Sequence, residues 1–396
     1  LRLSTNSLEG TLPSSLCEVN GGPSITTLTF GSNAVYCYPS CVSSVTTTFS
    51  PSGSQLDACP EDQDTAVCGI LAAMDVFAAD SDYSQWVCDS DGFTDSNPCA
   101  WKDLSCSSGA LTEITLDDVG LTGTIPRQIG SLSSLTFLDI NNNCLSGTLP
   151  LTLGSLTAMS TMKLGENCFS GSIPSAMEAL TGLKVLNLKD NSFTGTVPSF
   201  VGLFTKLQFL GLQSNLFRGP MPASLGSLAL LTRLNLTDNN LNGTIPSEFG
   251  SLSSINSFKL EYNSLSGSLP SALGGMTAAT VVALTNNSLT GFVPSTLTDL
   301  VSLVELELAF NKLTGEAPVF TGHASTLQRL DIRHNTFTGS IPTALASFTK
   351  LSYFTAADNF LTGSFPTYLG SLLALEVVDV GTNGLVGTVP AAIGSL

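Results

Sequence analysis

The sequence predicts a solenoid, in which short stacked repeats share one continuous apolar interior. Two observations support this fold class. Prolines recur at intervals of 24 residues from Pro126 to Pro390, which marks twelve repeats. Asparagine stands seven residues before every later proline, from Asn143 to Asn383, whereas the first repeat has Val119 there. A fixed period of this length is typical of proteins built from stacked structural repeats.

The repeat at residues 231–252, LTRLNLTDNNLNGTIPSEFGSL, shows how each part is expected to fold. Leu234 and Leu236 alternate as on a short strand, so both side chains face one side. Such a strand cannot bury its apolar side alone, so stacked copies predict a parallel sheet. We expect Asn239 to turn inward and to hydrogen-bond backbone groups of the neighbouring coil. Gly243 would relieve a tight bend.

The pattern LxGxIPxxLGxL, as in residues 121–132 (LTGTIPRQIGSL), closely resembles the plant-type extracellular leucine-rich repeat. The match covers residues 111–396. The resemblance implies an α/β solenoid, a right-handed superhelix with a parallel sheet on its concave face. It also implies 3-10 turns or loops on the convex side, disulfide-bonded caps and a role in extracellular protein recognition.

Residues 57–110 resemble the N-terminal cap of the same family, because the pattern PCxWxxxxC matches at Cys99, Trp101 and Cys106. The resemblance implies a disulfide between Cys99 and Cys106. Apolar residues at helical spacing predict a helix over residues 64–79, which would cover the first repeat. A new array therefore begins near the start of this cap.

The residues before this cap predict the end of another array. Residues 1–50 fit final repeats and a C-terminal cap, and residues 51–56 resemble a linker. A solenoid cut at either end would expose an apolar cross-section. We therefore expect a window from a longer chain with modules in series. If the modules were copies, about five further residues would join Leu396 to Leu1 in the register of the repeat. An arbitrary window from unlike modules is the alternative.

Composition argues against two classes of partner. The chain has 14 basic and 31 acidic residues and a net charge of −17, whereas nucleic-acid or anionic-membrane surfaces need clustered basic residues. The sequence also has no apolar run long enough to span a membrane. We expect an extracellular protein, secreted or on the cell surface.

Ten cysteines predict disulfides rather than zinc, since the chain has only two histidines and no CxxC pair. Cys144 and Cys168 occupy the same position of adjacent repeats, about 5 Å apart, which predicts a bond; two thiols are the alternative. Cys68 is expected to pair with Cys88. The partners of four further cysteines stay open: Cys17, Cys37, Cys41 and Cys59.

Three N-x-S/T sequons predict N-linked glycans, at Asn235, Asn242 and Asn286. We expect Asn235 and Asn286 to point outward from the strand face and Asn242 to lie at the bend. Unoccupied sequons are the alternative. The many exposed Ser and Thr residues permit O-linked glycans, and no other cofactor is expected.

Aromatic and cationic residues at variable strand positions predict a partner surface, because such side chains are the usual anchors of an interface. Scattered surface aromatics are the alternative. The later repeats carry Tyr262, Phe310, Arg333, His334 and Tyr353, and the earlier ones carry Phe137 and Phe209.

Catalysis and metal binding have little support. Two histidines offer no credible Ser-His-Asp set. Residues 88–95 (CDSDGFTD) resemble a calcium loop but lack its acidic spacing and closing Glu, so a solvated acidic loop is expected. Residues 319–325 carry Thr321 and Ala324 at apolar positions, which predicts a local loop change.

Two functions remain open. The first is a structural rod or filament building block, with further copies or modules of the same protein end to end. The second is a recognition or adhesion module that binds extracellular protein or glycan on its concave face. The serial caps favour the structural function, which is the one we expect.

Overall fold

A computed structural model describes residues 102–318, 322 and 324–389, together with Cys99 and four short strands. Two compact units make up the chain: Leu1–Leu183 with Asn187–Thr194, and Lys184–Leu186 with Gly195–Leu396. We call them the N-terminal and C-terminal units. The four short strands form two pairs, parallel between Glu9–Thr11 and Ala34–Cys37 and antiparallel between Cys88–Asp89 and Gly92–Phe93.

Each repeat begins with a front strand, whose middle residue is the first Leu or its apolar equivalent. Front strands pair in parallel with an offset of one repeat, as Phe209 with Arg233 and Arg233 with Ser257. Their bounds are Ala110–Thr115, Phe137–Asp139, Thr161–Lys163, Val185–Asn187, Phe209–Gly211, Arg233–Asn235, Ser257–Lys259, Val281–Ala283, Glu305–Glu307, Arg329–Asp331, Tyr353–Thr355 and Val377–Asp379.

A back strand follows the asparagine of most repeats. Its offset between neighbours is 22 residues rather than 24, as between Asn242 and Ser264. The bounds are Ser146–Thr148, Cys168–Gly171, Ser192–Phe193, Arg218–Pro220, Asn240–Gly243, Ser264–Ser268, Ser288–Gly291, Lys312–Glu316, Thr336–Thr338, Thr362–Ser364 and Gly384–Val386.

A 3-10 turn ends most repeats and begins directly after the periodic proline, which has φ between −61° and −77°. Proline suits this position because its fixed φ matches the turn and it needs no backbone donor there. The turns are Arg127–Ser131, Leu151–Ser155, Ser175–Ala179, Ser199–Leu203, Ala223–Ser227, Ser247–Ser251, Ser271–Gly275, Ser295–Asp299, Thr343–Ser347 and Thr367–Ser371.

The interior of each unit is apolar. In the C-terminal unit, Leu234 and Leu236 are fully buried, as the alternating pattern predicts. The rings of Phe249 and Phe258 pack edge to face, with centroids 5.9 Å apart. Their burial joins a 3-10 turn to the front strand of the following repeat, so neighbouring repeats stabilise one another.

The predicted asparagine ladder is confirmed. Nδ2 of Asn239 donates to the carbonyl oxygens of Leu212, Leu236 and Thr237 at 3.0–3.3 Å. Its Oδ1 accepts a hydrogen bond from the backbone N–H of Phe217 at 3.0 Å. One buried side chain therefore satisfies four backbone groups that the turn would otherwise leave without partners.

The structure contains the Cys99–Cys106 disulfide, with Cα atoms 5.3 Å apart. Cys106 lies on strand Leu104–Ser107, which pairs antiparallel with Ala110–Thr115. Strand Leu104–Ser107 therefore pairs with the outer edge of the first front strand, in keeping with a disulfide-bonded cap. The predicted helix over 64–79 and the predicted domain bounds 1–50, 51–56 and 57–110 lie largely outside the described residues.

The structure does not place Cys144 and Cys168 opposite each other, as the 24-residue period predicted. In the back strands Cys168 lies opposite Ser146, not opposite Cys144. Cys168 is disulfide-bonded, and burial raises the pKa of the Cys144 thiol. The bond between these two cysteines stays a prediction, and the 22-residue offset disfavours it.

No helix in the part of the chain that the structure describes is long and apolar enough to cross a membrane. The loop change predicted for residues 319–325 falls largely on residues outside that part, as do Cys17, Cys41, Cys59 and Cys68.

Candidate functional site

A row of turn residues carries three of the seven predicted partner-binding side chains. The residue directly before the ladder asparagine has φ between 47° and 56° in each repeat from Asn142 to Thr382. This left-handed conformation is uncommon for residues other than glycine, and costly for bulky ones. Tyr262, Phe310 and His334 all occupy this position. We call the positions 262, 286, 310, 334 and 358 of the C-terminal unit the turn row.

The turn row is held in register by backbone hydrogen bonds. The N–H of Asn287 donates to the carbonyl oxygen of Phe310 at 3.2 Å, and the N–H of Asn311 donates to that of His334 at 3.1 Å. Successive members of the row are therefore direct neighbours. Sequence reasoning placed these aromatic residues on the strands, whereas the structure places them in the turn that follows each strand.

Three predicted residues form one cluster. The rings of Phe310 and His334 stack with centroids 4.1 Å apart and planes 20° apart. Cζ of Arg333 lies 5.4 Å from the Phe310 centroid, within range of a cation–π interaction. Nε2 of His334 lies 3.2 Å from Oδ2 of Asp358 in the next repeat. Phe310 remains 38% exposed, so its ring is available to a partner.

The buried carboxylate of Asp331 contacts the guanidinium group of this cluster. This carboxylate is only 3% exposed and accepts a hydrogen bond of 2.7 Å from the hydroxyl of Thr355. Nε of Arg333 lies 3.3 Å from Oδ2 of Asp331, yet this buried nitrogen makes no hydrogen bond among the described residues. Charge attraction and the Phe310 ring therefore position this guanidinium.

Tyr353 belongs to a second cluster that sequence reasoning missed in part. Cζ of Arg329 lies 3.6 Å from the centroid of the Tyr353 ring, and its Nε lies 2.6 Å from Oε1 of Glu307. Arg329 and Tyr353 pair directly in the front sheet. Their separation of one repeat is the signal that could have identified Arg329 from the sequence.

The remaining predicted aromatics lie apart from these clusters. Tyr262 is 56% exposed and lies two repeats before Phe310, with Asn286 between them in the turn row. In the N-terminal unit, Phe137 lies beneath the ammonium of Lys163, 5.3 Å from the ring centroid. Phe209 is half-buried on its front strand.

One carboxyl group near Tyr262 has a shifted pKa. Burial raises the pKa of Glu261 above its ordinary value of 4.5, although a hydrogen bond from Thr237 counteracts the shift. The Thr237 hydroxyl lies 2.7 Å from Oε2 of Glu261. This half-buried carboxyl group precedes Tyr262 of the turn row directly in the sequence.

The three sequons lie in three different settings. Asn235 is on a front strand, where its Oδ1 accepts the backbone N–H of Thr237 at 3.1 Å. Asn242 is exposed on a back strand. Asn286 lies in the turn row and is half-buried. Occupancy of all three stays a prediction.

Metal binding finds no additional support in the described part of the chain, where no group of three or more His, Cys, Asp or Glu side chains could hold an ion. The acidic segment 88–95 lies largely outside it.

The two clusters around Phe310 and Tyr353 present aromatic rings, guanidinium groups and carboxylates. Such side chains suit recognition of another molecule.

Comparison with known families matches four segments of the chain. The model of the Leucine Rich Repeat family matches residues 134–156, 182–204, 230–252 and 326–348. These segments have the same phase within the period of the sequence. Comparison of the sequence with curated proteins gives no match.

Solved structures of plant receptors share the fold. The plant peptide hormone receptor RGFR1 in complex with RGF2 has 31% identity and a TM-score of 0.69, over 71% of this chain and 45% of that one. The PEPR1–AtPEP1 structure has 31% identity and a TM-score of 0.76, over 84% and 46%. The ectodomain of the receptor kinase GASSHO1/SCHENGEN3 from Arabidopsis thaliana has 28% identity and a TM-score of 0.61, over 84% and 48%.

This chain thus covers less than half the length of each of these receptors. The parallel sheet, the 3-10 turns and the asparagine ladder are found in most of the described repeats. Together with the family match and the solved structures, they show that the chain has a leucine-rich-repeat solenoid fold like that of the plant receptors.

Proposed function

We propose that the chain is an extracellular recognition module, secreted or on the cell surface, that binds a protein or peptide. The binding surface comprises the turn row and the neighbouring front strands Glu305–Glu307, Arg329–Asp331 and Tyr353–Thr355. The observation that carries the proposal is the stack of Phe310 on His334 beside Arg333. No catalytic role is assigned to these residues.

The cluster has the composition of an interface anchor. Aromatic rings and guanidinium groups supply most of the binding energy in protein interfaces, especially where they are pre-organised by neighbours. Arg329 is held by Glu307 and by the Tyr353 ring, so it loses little conformational entropy when a ligand binds. The stacked ring of Phe310 is restricted in the same way.

The solved relatives support a binding function over a structural one. The RGFR1 and GASSHO1/SCHENGEN3 structures are complexes of a receptor with RGF2 and with CASPARIAN STRIP INTEGRITY FACTOR 2, respectively. This favours recognition over the rod or filament that the serial caps suggested. End-to-end association of copies finds no support in the described residues and stays a prediction.

A displayed library of random peptides tests the proposal without knowledge of the natural ligand. Peptides are selected on the secreted wild-type chain after enzymatic removal of its N-linked glycans, and their affinity is then measured for Phe310→Ala and Tyr353→Ala variants treated in the same way. The matched control is Phe292→Ala, because Phe292 is 71% exposed but follows a back strand. We expect a loss of about thirtyfold in affinity for the front variants, the usual cost of truncating an anchor.

The control variant should bind the selected peptides as tightly as the wild type. Selected peptides that lose no affinity with either front variant would overturn the proposed surface. Filaments of regular period in negative-stain images of the native protein, with no selectable ligand, would instead favour the structural function.

A further inference from the structure

The sequon at Asn286 lies between two aromatic side chains. Asn286 occupies the turn row one repeat after Tyr262 and one repeat before Phe310. Backbone hydrogen bonds join the three positions: Asn263 N–H donates to the Asn286 carbonyl at 3.1 Å, and Asn287 N–H donates to that of Phe310 at 3.2 Å. The sequon side chain therefore has an aromatic neighbour on each side.

The Asn286 side chain is available for modification. It is half-buried, and it makes no side-chain hydrogen bond among the described residues. By contrast, Asn235 uses its Oδ1 to accept the backbone N–H of Thr237. The amide of Asn286 thus differs from that of Asn235 in having no competing intramolecular contact.

The 38% exposure of Phe310, with His334 stacked on its ring, indicates that one ring face is open on the side of Asn286. The other face is covered by His334 of the following repeat, with nearly parallel planes. Stacking along the direction of the repeats turns the open face toward the preceding repeat, where Asn286 lies. Tyr262 is also open, with 56% of the residue exposed.

The spacing of the repeats leaves room for one sugar ring. Two strand spacings separate Tyr262 from Phe310 by about 9.6 Å. A flat ring between two aromatic rings needs two contact distances, together about 7–8 Å. A pyranose presents C–H groups of partial positive charge, which match the negative face of an aromatic ring.

We propose that Asn286 carries an N-linked glycan whose first sugar packs against the open face of Phe310. In the transfer step, Nδ2 of Asn286 forms a bond to C1 of an N-acetylglucosamine. The donor is a lipid-diphosphate oligosaccharide, whose bond from C1 to the diphosphate oxygen breaks. The lipid diphosphate leaves with its electron pair, and Nδ2 loses one proton to solvent.

The glycan would divide the binding surface into two parts, an extension that rests on the proposed function. It would cover Tyr262 and Phe310, whereas Arg329 and Tyr353 would remain uncovered. The glycosylated and non-glycosylated forms would then bind different ligands. Occupancy of one sequon would regulate recognition without any change in the backbone.

The test uses the whole chain secreted from eukaryotic cells. Glycopeptide mapping first shows whether Asn286 and Asn242 are occupied. A peptide N-glycosidase, free of endoglycosidase activity, then removes both glycans from the folded protein. Mass spectrometry measures the rate of removal at each site. Asn242 is the matched internal control, because it is exposed on a back strand between Pro220 and Ser264.

We expect the Asn286 glycan to be removed roughly threefold to tenfold more slowly than the Asn242 glycan, a ratio that fits one aromatic contact. Phe310→Leu should bring the two rates together. In spectra of a ¹³C-labelled glycan, the first sugar at Asn286 should show upfield ring-current shifts that the variant lacks.

An unoccupied Asn286, or equal rates and equal chemical shifts at both sites in the wild type, would overturn the proposal. If Phe310→Leu does not fold, the comparison of the two sites in the wild type still tests the proposed sugar contact. Peptide binding on the front surface is measured separately with deglycosylated protein. Its failure would concern the proposed function and not the glycan contact.

Discussion

At the residue scale, buried amide groups decide whether a repeat can exist. Asn311 shows the general arrangement: Nδ2 donates to the carbonyls of Leu284, Leu308 and Ala309 at 3.0–3.1 Å. Its Oδ1 accepts the N–H of Leu289 at 3.0 Å. Because these groups are buried, removal of the side chain leaves several backbone groups without a hydrogen-bond partner.

Replacing Asn311 by Ala should lower the free energy of unfolding by about 2–3 kcal/mol, since several backbone groups lose their partner. Urea unfolding followed by circular dichroism measures the change. The control is Asn240→Ala, at an exposed back-strand position, for which we expect less than about 0.5 kcal/mol. Equal effects at the two positions would contradict the ladder argument.

The raised pKa of Glu261 predicts a pH dependence. Its folded pKa lies above 4.5 because burial disfavours the carboxylate. The folded state therefore binds more protons than the unfolded state just above pH 4.5, so this group's contribution to stability falls as the pH rises through the folded pKa. Glu261→Gln cannot ionise, and its stability relative to wild type should be greater at pH 7 than at pH 4.

Urea unfolding at the two pH values measures this difference, with Glu248→Gln as the control at an exposed position. The same pH dependence in Glu261→Gln and in the wild type would show that burial of this carboxyl group has no energetic effect.

The sequence predicts the role of a residue where only one type of side chain fits its position. The inward Asn239 could be predicted because only a short amide both donates and accepts in the right directions. The left-handed turn position could not be predicted, because Asp, Tyr, Phe and His occupy it. None of these residues indicates a positive φ as glycine would. The stack of Phe310 on His334 was therefore missed, although both residues were named.

At the scale of elements, the back strands and 3-10 turns depend on close approach between repeats. A Cβ added at Gly274 would lie 2.5 Å from the carbonyl oxygen of Thr296 and 2.9 Å from its Cβ. The turn Ser271–Gly275 therefore packs directly on the backbone of the next repeat. The period alone did not show that back strands are offset by 22 residues, which is why the Cys144–Cys168 register differed.

Gly274→Ala should cost about 1–3 kcal/mol of stability, because either the turn or its neighbour must shift. The matched control is Ala346→Gly, at the equivalent position of the turn Thr343–Ser347. It should change stability by no more than about 1 kcal/mol. Thermal unfolding of both variants measures these changes in stability. An unchanged stability of Gly274→Ala would show that the turns are not tightly packed.

At the scale of the whole molecule, contacts in the C-terminal unit run mainly between neighbouring repeats. Phe209 pairs with Arg233, and Arg233 pairs with Ser257. Such a unit should tolerate the loss of one full repeat, because the remaining neighbours meet in the same register.

Deleting residues 233–256 would bring Phe209 opposite Ser257 and keep every apolar position inside. We expect a folded protein with a parallel-sheet circular dichroism spectrum and a cooperative thermal transition. Deleting residues 233–244 is the control, because half a repeat moves apolar residues to the surface and should prevent folding. Loss of structure in both deletions would contradict this one-dimensional description.

The left-handed turn residues also have an evolutionary consequence. Their φ angles vary by only a few degrees between Asp238, Tyr262, Phe310 and His334, so the main chain keeps the same conformation with an acidic, an aromatic or an imidazole side chain there. A mutation at such a site can exchange acidic, aromatic or basic character while the scaffold stays intact. Descendants of one ancestral gene could therefore acquire new ligands by single codon changes along this line of positions.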